Sequence, residues 1–198
     1  MEEDIIISER PTAQRLLAAY PSTPQPHQHY EPHLVTLQDW LCGGLSEFFK
    51  TEIQAYRAEQ DTANKAALYD GLPVATVAAF SYLKDGDTLP PVCYNGLLDF
   101  DIRREDNEGW DMASLKAALR AVPYIAYVGD DTNGEDLFCV VAIRWPNRYA
   151  QHLTALRHDL LKADIIISGS DSPAHFRKIS HDPEGYINGD AQQFCKLL

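Results

Sequence analysis

The stretch Gly96-Leu97-Leu98-Asp99-Phe100-Asp101-Ile102 constrains the fold more than any other, because it sets two carboxylates one residue apart in an otherwise apolar run. Side chains of a strand alternate between faces, so Leu98, Phe100 and Ile102 are expected to face a core while Asp99 and Asp101 project together on the opposite side. Two anions roughly 5–7 Å apart repel modestly in water and more strongly in a partly dry cleft. Hard oxygen ligands in this arrangement suit Mg²⁺ or Mn²⁺, which makes Asp99 and Asp101 the candidate metal ligands and catalytic acids. The same pattern also describes a solvated strand end with two exposed acids.

The 198 residues suffice for one domain, or a domain with an appendage, and the 45% hydrophobic and 10% aromatic content is that of a folded chain. Cysteines at 42, 93, 139 and 195 are too widely spaced for a CxxC metal or redox motif, so reduced thiols are expected. The amino terminus, MEEDIIISER, has acids where a signal peptide needs cations, and no apolar stretch reaches the length of a membrane span. A soluble, cytoplasmic protein with no membrane partner is the expectation. The net charge of −12 opposes binding to a phosphate backbone. Arg144, Arg148, Arg157, Lys162, Arg177 and Lys178 leave room for a local basic patch, or for ordinary solvated helix faces.

Periodicity along the chain alternates between helix and strand, with one biased segment, PSTPQPHQHYEPH at 21–33. It reads as an irregular connection after a first strand and helix, Ile5 to Tyr20. Helices are expected over Leu37–Tyr56, Asp61–Tyr69, Met112–Val122 and about 148–162, and strands over Pro73–Tyr82, Gly96–Ile102, Tyr124–Val128, Leu137–Ile143, Ile165–Ser168 and Phe176–Ser180. KDGDTLPP at 84–91 reads as a turn-rich loop, Asn133-Gly134 signals a hairpin, and Asp182-Pro183 opens a closing turn. The order strand, helix, hairpin, helix, strand implies an α+β fold, mainly an antiparallel sheet with covering helices and a split βαβ core. Residues 1–33 are expected as an amino-terminal strand-helix and proline-rich connection, and 34–198 as the main domain.

Four segments, GLLDFDI, RAVPYIAYVGDDTNGEDLFCVVAI, NRYAQHLTALRHDLLKADI and FRKISHDPEGYIN, together resemble the VirE-type amino-terminal domain of replication proteins of bacterial mobile elements. That domain is similar to archaeo-eukaryotic-type primases. The resemblance covers roughly residues 45 to 190. It implies that the D-x-D pair holds a divalent metal, that a hairpin rich in small residues and ending in His contacts the nucleotide phosphates, and that a third acid after the next helix completes the metal site. Family members are commonly fused ahead of a helicase-like region, so a helicase region or subunit, nucleotides and single-stranded DNA are the implied partners.

Asp99 and Asp101 match the metal pair, and Asn133 and Gly134 match the small residues of the hairpin. Arg177 is also retained, able to pair with a carboxylate or a phosphate. The chain departs from the pattern where Glu135, Asp136, Leu137 and Phe138 replace a basic residue, Gly, an apolar residue and His. Phe has no donor for a phosphate, and two extra carboxylates repel one. The third acid, expected near Ile167 or Ser168, is missing, with Asp164 and Asp171 flanking that position. The implied function is therefore a primase-like nucleotidyltransferase fold, weakened or silent in catalysis, with a residual D-x-D metal site. The alternative is a noncatalytic scaffold that binds a protein or single-stranded DNA. His27, His29 and His33 read as a polar linker rather than a metal site, and Tyr124, Tyr127 and Trp145 are stacking candidates of which the first two lie in a core strand. No P-loop, G-x-S-x-G or CxxC is present, which leaves nucleotide hydrolysis and serine chemistry without support.

Overall fold

Three of the α-helices among the described residues begin at a side chain that caps them. The computed structural model describes residues 11–23, 33–81, 92–169 and 171–198. Strands β1 (Leu16–Tyr20) and β2 (His33–Thr36) lead into helices α1 (Leu37–Leu41), α2 (Gly44–Phe48), α3 (Lys50–Ala58) and α4 (Thr62–Gly71). Thr36 caps α1 by accepting from the Asp39 N–H, and Asp61 caps α4 by accepting from Asn64. Short strands β3 (Val74–Thr76), β4 (Ala79–Ser81) and β5 (Val92–Tyr94) follow, then β6 (Leu97–Ile102), which carries the two acids. Helix α5 (Met112–Arg120) is capped by Asp111, and β7 (Ile125–Asp130), β8 (Leu137–Ala142), α6 (Tyr149–Leu161), β9 (Phe176–Lys178) and β10 (Tyr186–Ile187) complete the order.

The fold is α+β, with antiparallel pairing throughout its strand ladders. One four-stranded sheet runs β2-β1-β3-β9 and a second runs β10-β7-β8-β6, with β4 and β5 pairing separately. In the second sheet β8 is antiparallel to both β6 and β7, so β6 and β7 run parallel with β8 between them, the expected split βαβ arrangement around α5. Helices α5 and α6 pack on one face of this sheet, where Leu115, Leu119, Leu153, Leu156 and Leu160 meet Leu98, Phe100, Ile102, Cys139 and Val141. The other face, with Leu97, Tyr127, Phe138 and Val140, packs against Leu17, Ala75, Trp40, Ile53 and Ile179 from the first sheet and its helices. The central strands are thus buried on both sides, and that second face is where Asp99 and Asp101 point.

Four expectations need correction. The single helix expected over Leu37–Tyr56 divides into α1, α2 and α3, with breaks at Cys42-Gly43 and Phe49. Residues 16–20, expected to end in a helix, form β1, because Leu and Ala favour a helix only until tertiary pairing on both edges, to β2 and β3, outweighs local propensity. The single strand expected from Pro73 divides into β3 and β4, which pair in different sheets. Buried Asn95 stitches this division, donating from its amide to the Leu16 and Val77 carbonyls while accepting from the Leu97 N–H. The strand expected over Ile165–Ser168 reduces to one bridge, between Ser168 and Asp101. The expected boundary at residue 33 falls at the start of β2. Residues 5–10, most of the proline-rich connection, with His27 and His29, and the loop at 84–91 lie outside the described residues. Among the described residues no helix is long and apolar enough to cross a membrane.

The closing turn forms at Asp182, whose carboxylate accepts from the Glu184 and Asp130 N–H groups and pairs with Lys116 of α5. The hairpin loop between β7 and β8 is held from outside: Arg57 of α3 donates to the Asp131 and Thr132 carbonyls at 2.8 and 3.0 Å. Gly134 has φ +75°, and a Cβ there would lie 2.9 Å from Arg57 Nε. Gly134→Ala is therefore expected to lower stability by about 1–2 kcal/mol from the left-handed backbone alone, read as a reduced denaturation midpoint, with further loss if Arg57 is displaced.

Candidate functional site

The alternation of β6 places Asp99 and Asp101 between the two sheets, and the structure sets a cation of the protein's own between them. Arg177 of β9, in register with Ala75 of β3, reaches across with three nitrogens directed at three different carboxylates. Its Nε lies 3.2 Å from Asp99 Oδ2, one terminal nitrogen 2.5 Å from Asp101 Oδ1, and the other 3.2 Å from Asp131 Oδ1. The guanidinium lies 3.9 Å from the centre of the Phe138 ring, directly opposite Asp101 in the β6–β8 register. Phe138, which cannot bond a phosphate, is therefore the apolar floor on which the arginine rests.

His175 completes the cluster. Its Nε2 is 3.0 Å from Asp99 Oδ2 and its Nδ1 is 2.6 Å from the Ser172 carbonyl oxygen, so each ring nitrogen faces an acceptor and the imidazolium is the form that satisfies both. Burial opposes that charge, and the hydrogen bond and charge of Asp99 outweigh it, holding the His175 pKa above its ordinary value. Burial alone would raise Asp99, yet His175 and Arg177 together bring its pKa below the usual carboxylate value. Asp101 is shifted the other way: burial, reinforced by Asp131 and Asp99, exceeds the pull of Arg177. Arg177 stays firmly cationic, since its three carboxylates outweigh its burial.

Of the residues singled out from the sequence, Asp99, Asp101 and Arg177 meet directly. Asn133 and Gly134 lie in the hairpin above them, but the Asn133 amide serves the loop itself: its oxygen accepts from the Glu135 and Asp136 N–H groups and its nitrogen donates to Asp136. The third acid comes from an unexpected place. Ser168 does stand beside Asp101, as the spacing predicts, and its hydroxyl bonds to Asp106. The third carboxylate at the cluster is instead Asp131, at the start of the hairpin. In the sequence Asp131 is one acid of the run at 130–136 that joins the two strands, and nothing local marks its pairing with Arg177. His175 had no local signal at all.

A cleft of about 880 Å³ opens beside the cluster, lined by Asp101, Asp131, His175 and Arg177 together with Tyr69, Arg103, Arg104, Trp110 and Phe176. Its walls carry six carboxylates against four Lys and Arg side chains. One of those cations is committed elsewhere: Lys178 donates to the Asp70 and Leu72 carbonyls at the end of α4, at 3.0 and 2.9 Å. Trp145 lies apart from the cleft, stacked with His152, and Tyr127 is buried in the core.

The residues present do not fit a divalent metal as arranged. Each of the three carboxylates already directs an oxygen at the guanidinium, and a divalent ion about 4 Å from that charge would be repelled by about 8 kcal/mol at an effective dielectric of about 20. Among the described residues no group of three or more His, Cys, Asp or Glu side chains converges in a way that holds a metal. Comparison with known proteins adds no relative: no family model matches the chain, and neither a curated protein nor a solved structure matches it.

Because His175 binds its proton more tightly in the folded chain than in the unfolded one, its contribution to stability is complete below its ordinary pKa of 6.5 and is lost as pH rises through the elevated folded value. Denaturant titrations of wild type and His175→Gln between about pH 5.5 and 8.5 are expected to show a stability gap that narrows with rising pH. A gap independent of pH would mean that His175 is neutral.

Proposed function

We propose that the chain is a primase-like domain of a mobile-element DNA replication protein in which the cleft is retained and nucleotidyl transfer is weakened or absent. One observation carries this reading: the D-x-D strand, the hairpin and Arg177, 46 to 78 residues apart in sequence, converge at the wall of one cleft. In this reading a nucleotide, or the end of a single strand, enters beside the hairpin. Arg103 and Arg104 meet its phosphates, and the exposed faces of Tyr69 and Phe176 receive a base. A helicase region or subunit acts alongside. The chemistry fails for two reasons: Phe138 provides no phosphate donor, and Asp99 and Asp101 are engaged by cations of the protein itself. Losing one good donor to a developing charge lowers a rate by about 10²–10³.

The surplus of carboxylates in the cleft favours a second reading, a noncatalytic scaffold whose acidic hairpin at 130–136 engages a protein partner. A primer-synthesis assay with nucleotides, a single-stranded template and Mn²⁺, run beside fluorescence anisotropy with labelled single-stranded DNA, separates the two. The primase-like reading expects no measurable synthesis and weak DNA binding whose log–log salt slope, about −1 to −2, reports few phosphate contacts. Robust synthesis that Asp101→Ala eliminates would show an active primase instead. No synthesis and no DNA binding, with a stable protein complex lost on altering the hairpin, would establish the scaffold.

A further inference from the structure

We propose that Arg177 is the resident cation of the D-x-D pair, holding the position between Asp99 and Asp101 that a divalent metal would otherwise take, so that the site is built to work without one. The geometry of the cluster carries this assignment without the likeness to primases. A guanidinium presents its donors in a rigid planar fork, and here the fork addresses Asp99, Asp101 and Asp131 with a different nitrogen for each. A surface salt bridge has no such convergence. The side chain is 7% exposed and its guanidinium carbon sits 3.9 Å from the centre of the Phe138 ring, which limits its swing away from the carboxylates.

Charge gives the same answer. Three carboxylates facing Arg177 and an imidazolium at His175 leave one net negative charge. Adding a divalent ion would turn a nearly balanced cluster into one with excess positive charge beside an immovable arginine. The anchoring of Arg177 is also independent of any ligand. The two residues that follow Arg177 are fixed, because the Thr132 hydroxyl donates to the Lys178 or Ile179 carbonyl and the Ile179 N–H donates to the Pro73 carbonyl. The hairpin that supplies Asp131 is in turn held by Arg57. Both partners of the ion cluster are thus positioned by backbone contacts made elsewhere.

The consequence is specific. Removing the guanidinium should leave three uncompensated carboxylates around one gap; they do not converge closely enough to hold a metal as they stand, but without Arg177 between them they are free to close on a Mg²⁺ or Mn²⁺ ion. Arg177→Gln should therefore convert a metal-indifferent protein into a metal-dependent one. The test uses the full chain and Mn²⁺ alone, with the free-ion electron paramagnetic resonance signal reporting binding and the melting temperature reporting coupling to the fold. Wild type is expected to leave the Mn²⁺ signal undiminished up to about 1 mM, and EDTA is expected to leave its melting temperature unchanged. R177Q is expected to melt lower, to bind Mn²⁺ saturably at least tenfold more tightly than wild type, and to regain melting temperature with the ion. Adding Asp101→Asn to R177Q should abolish that recovery.

Saturable, stoichiometric Mn²⁺ binding by wild type that Asp99→Asn removes would overturn the proposal, since the carboxylates would then hold a metal with Arg177 present. A folded R177Q that ignores Mn²⁺ would overturn it as well, because the gap would not have the character of a metal position. Should R177Q fail to fold in either buffer, the wild-type titration decides by itself: an unaffected signal supports the proposal, and binding lost in D99N refutes it. None of these outcomes depends on whether the chain binds DNA or nucleotides, so failure here and failure of the primase-like reading are told apart.

Discussion

A guanidinium shared among three carboxylates joins the two four-stranded sheets of this protein. Arg177 belongs to β9, at the edge of the first sheet, while Asp99 and Asp101 belong to β6 of the second and Asp131 to the hairpin between β7 and β8. Taking ions out of water costs several kcal/mol each, regained only where the geometry is good and the remaining hydrogen-bonding capacity is filled. The requirement makes the pairing a strict one. A slip of one residue in β6 would turn Asp99 into the helix-packed core and present Leu98 to Arg177, losing both the ion pair and the apolar face. Apolar burial alone would tolerate a looser fit between the sheets. The ion cluster does not.

The surroundings explain why so much charge is tolerated there. Phe138 offers its ring to the cation, His175 shares Asp99 Oδ2 with Arg177, and the hairpin carrying Asp131 is braced by Arg57 and by the Thr132 hydroxyl. One oxygen remains unanswered: Asp99 Oδ1 is buried with no hydrogen-bond partner among the described residues. The cleft beside the cluster inherits this electrostatics. Its walls carry more acid than base, and the acid nearest the protein interior is already neutralised from within, so a ligand entering the cleft meets the outer residues first.

Much of the fold was legible in the residues. The alternation of Leu98, Phe100 and Ile102 against Asp99 and Asp101 announced the facing of β6, Asn133-Gly134 marked the hairpin, and the spacing of Leu115 and Leu119 marked α5, because each of these rests on local periodicity or turn chemistry. The misreadings share a cause. Leu16–Tyr20 carries residues of good helix propensity and becomes a strand only because β2 and β3 pair with it on both edges, and residues 165–168 have strand-like composition with no neighbour to pair beyond Ser168. At the site, Phe138 read as a lost donor and Glu135 and Asp136 as added repulsion, while Asp131 carried no reading of its own. That Phe138 lies under Arg177 and that Asp131 pairs with it are contacts across the fold with no local signal.

Composition and pattern by themselves determined that this chain forms an α+β domain with mainly antiparallel sheet, that helices cover one face, and that two carboxylates share the other face of one strand. Those properties follow from periods of two and 3.6 residues, which a single sequence displays. The identity of the cation facing the two carboxylates was decided only by tertiary structure. Arg177 lies 76 and 78 residues further along the chain than its partners in β6, and no local rule connects positions so distant. Their meeting depends on how two sheets stack and on which strand reaches the shared edge, and electrostatic interactions at contact distance take their sign from that arrangement.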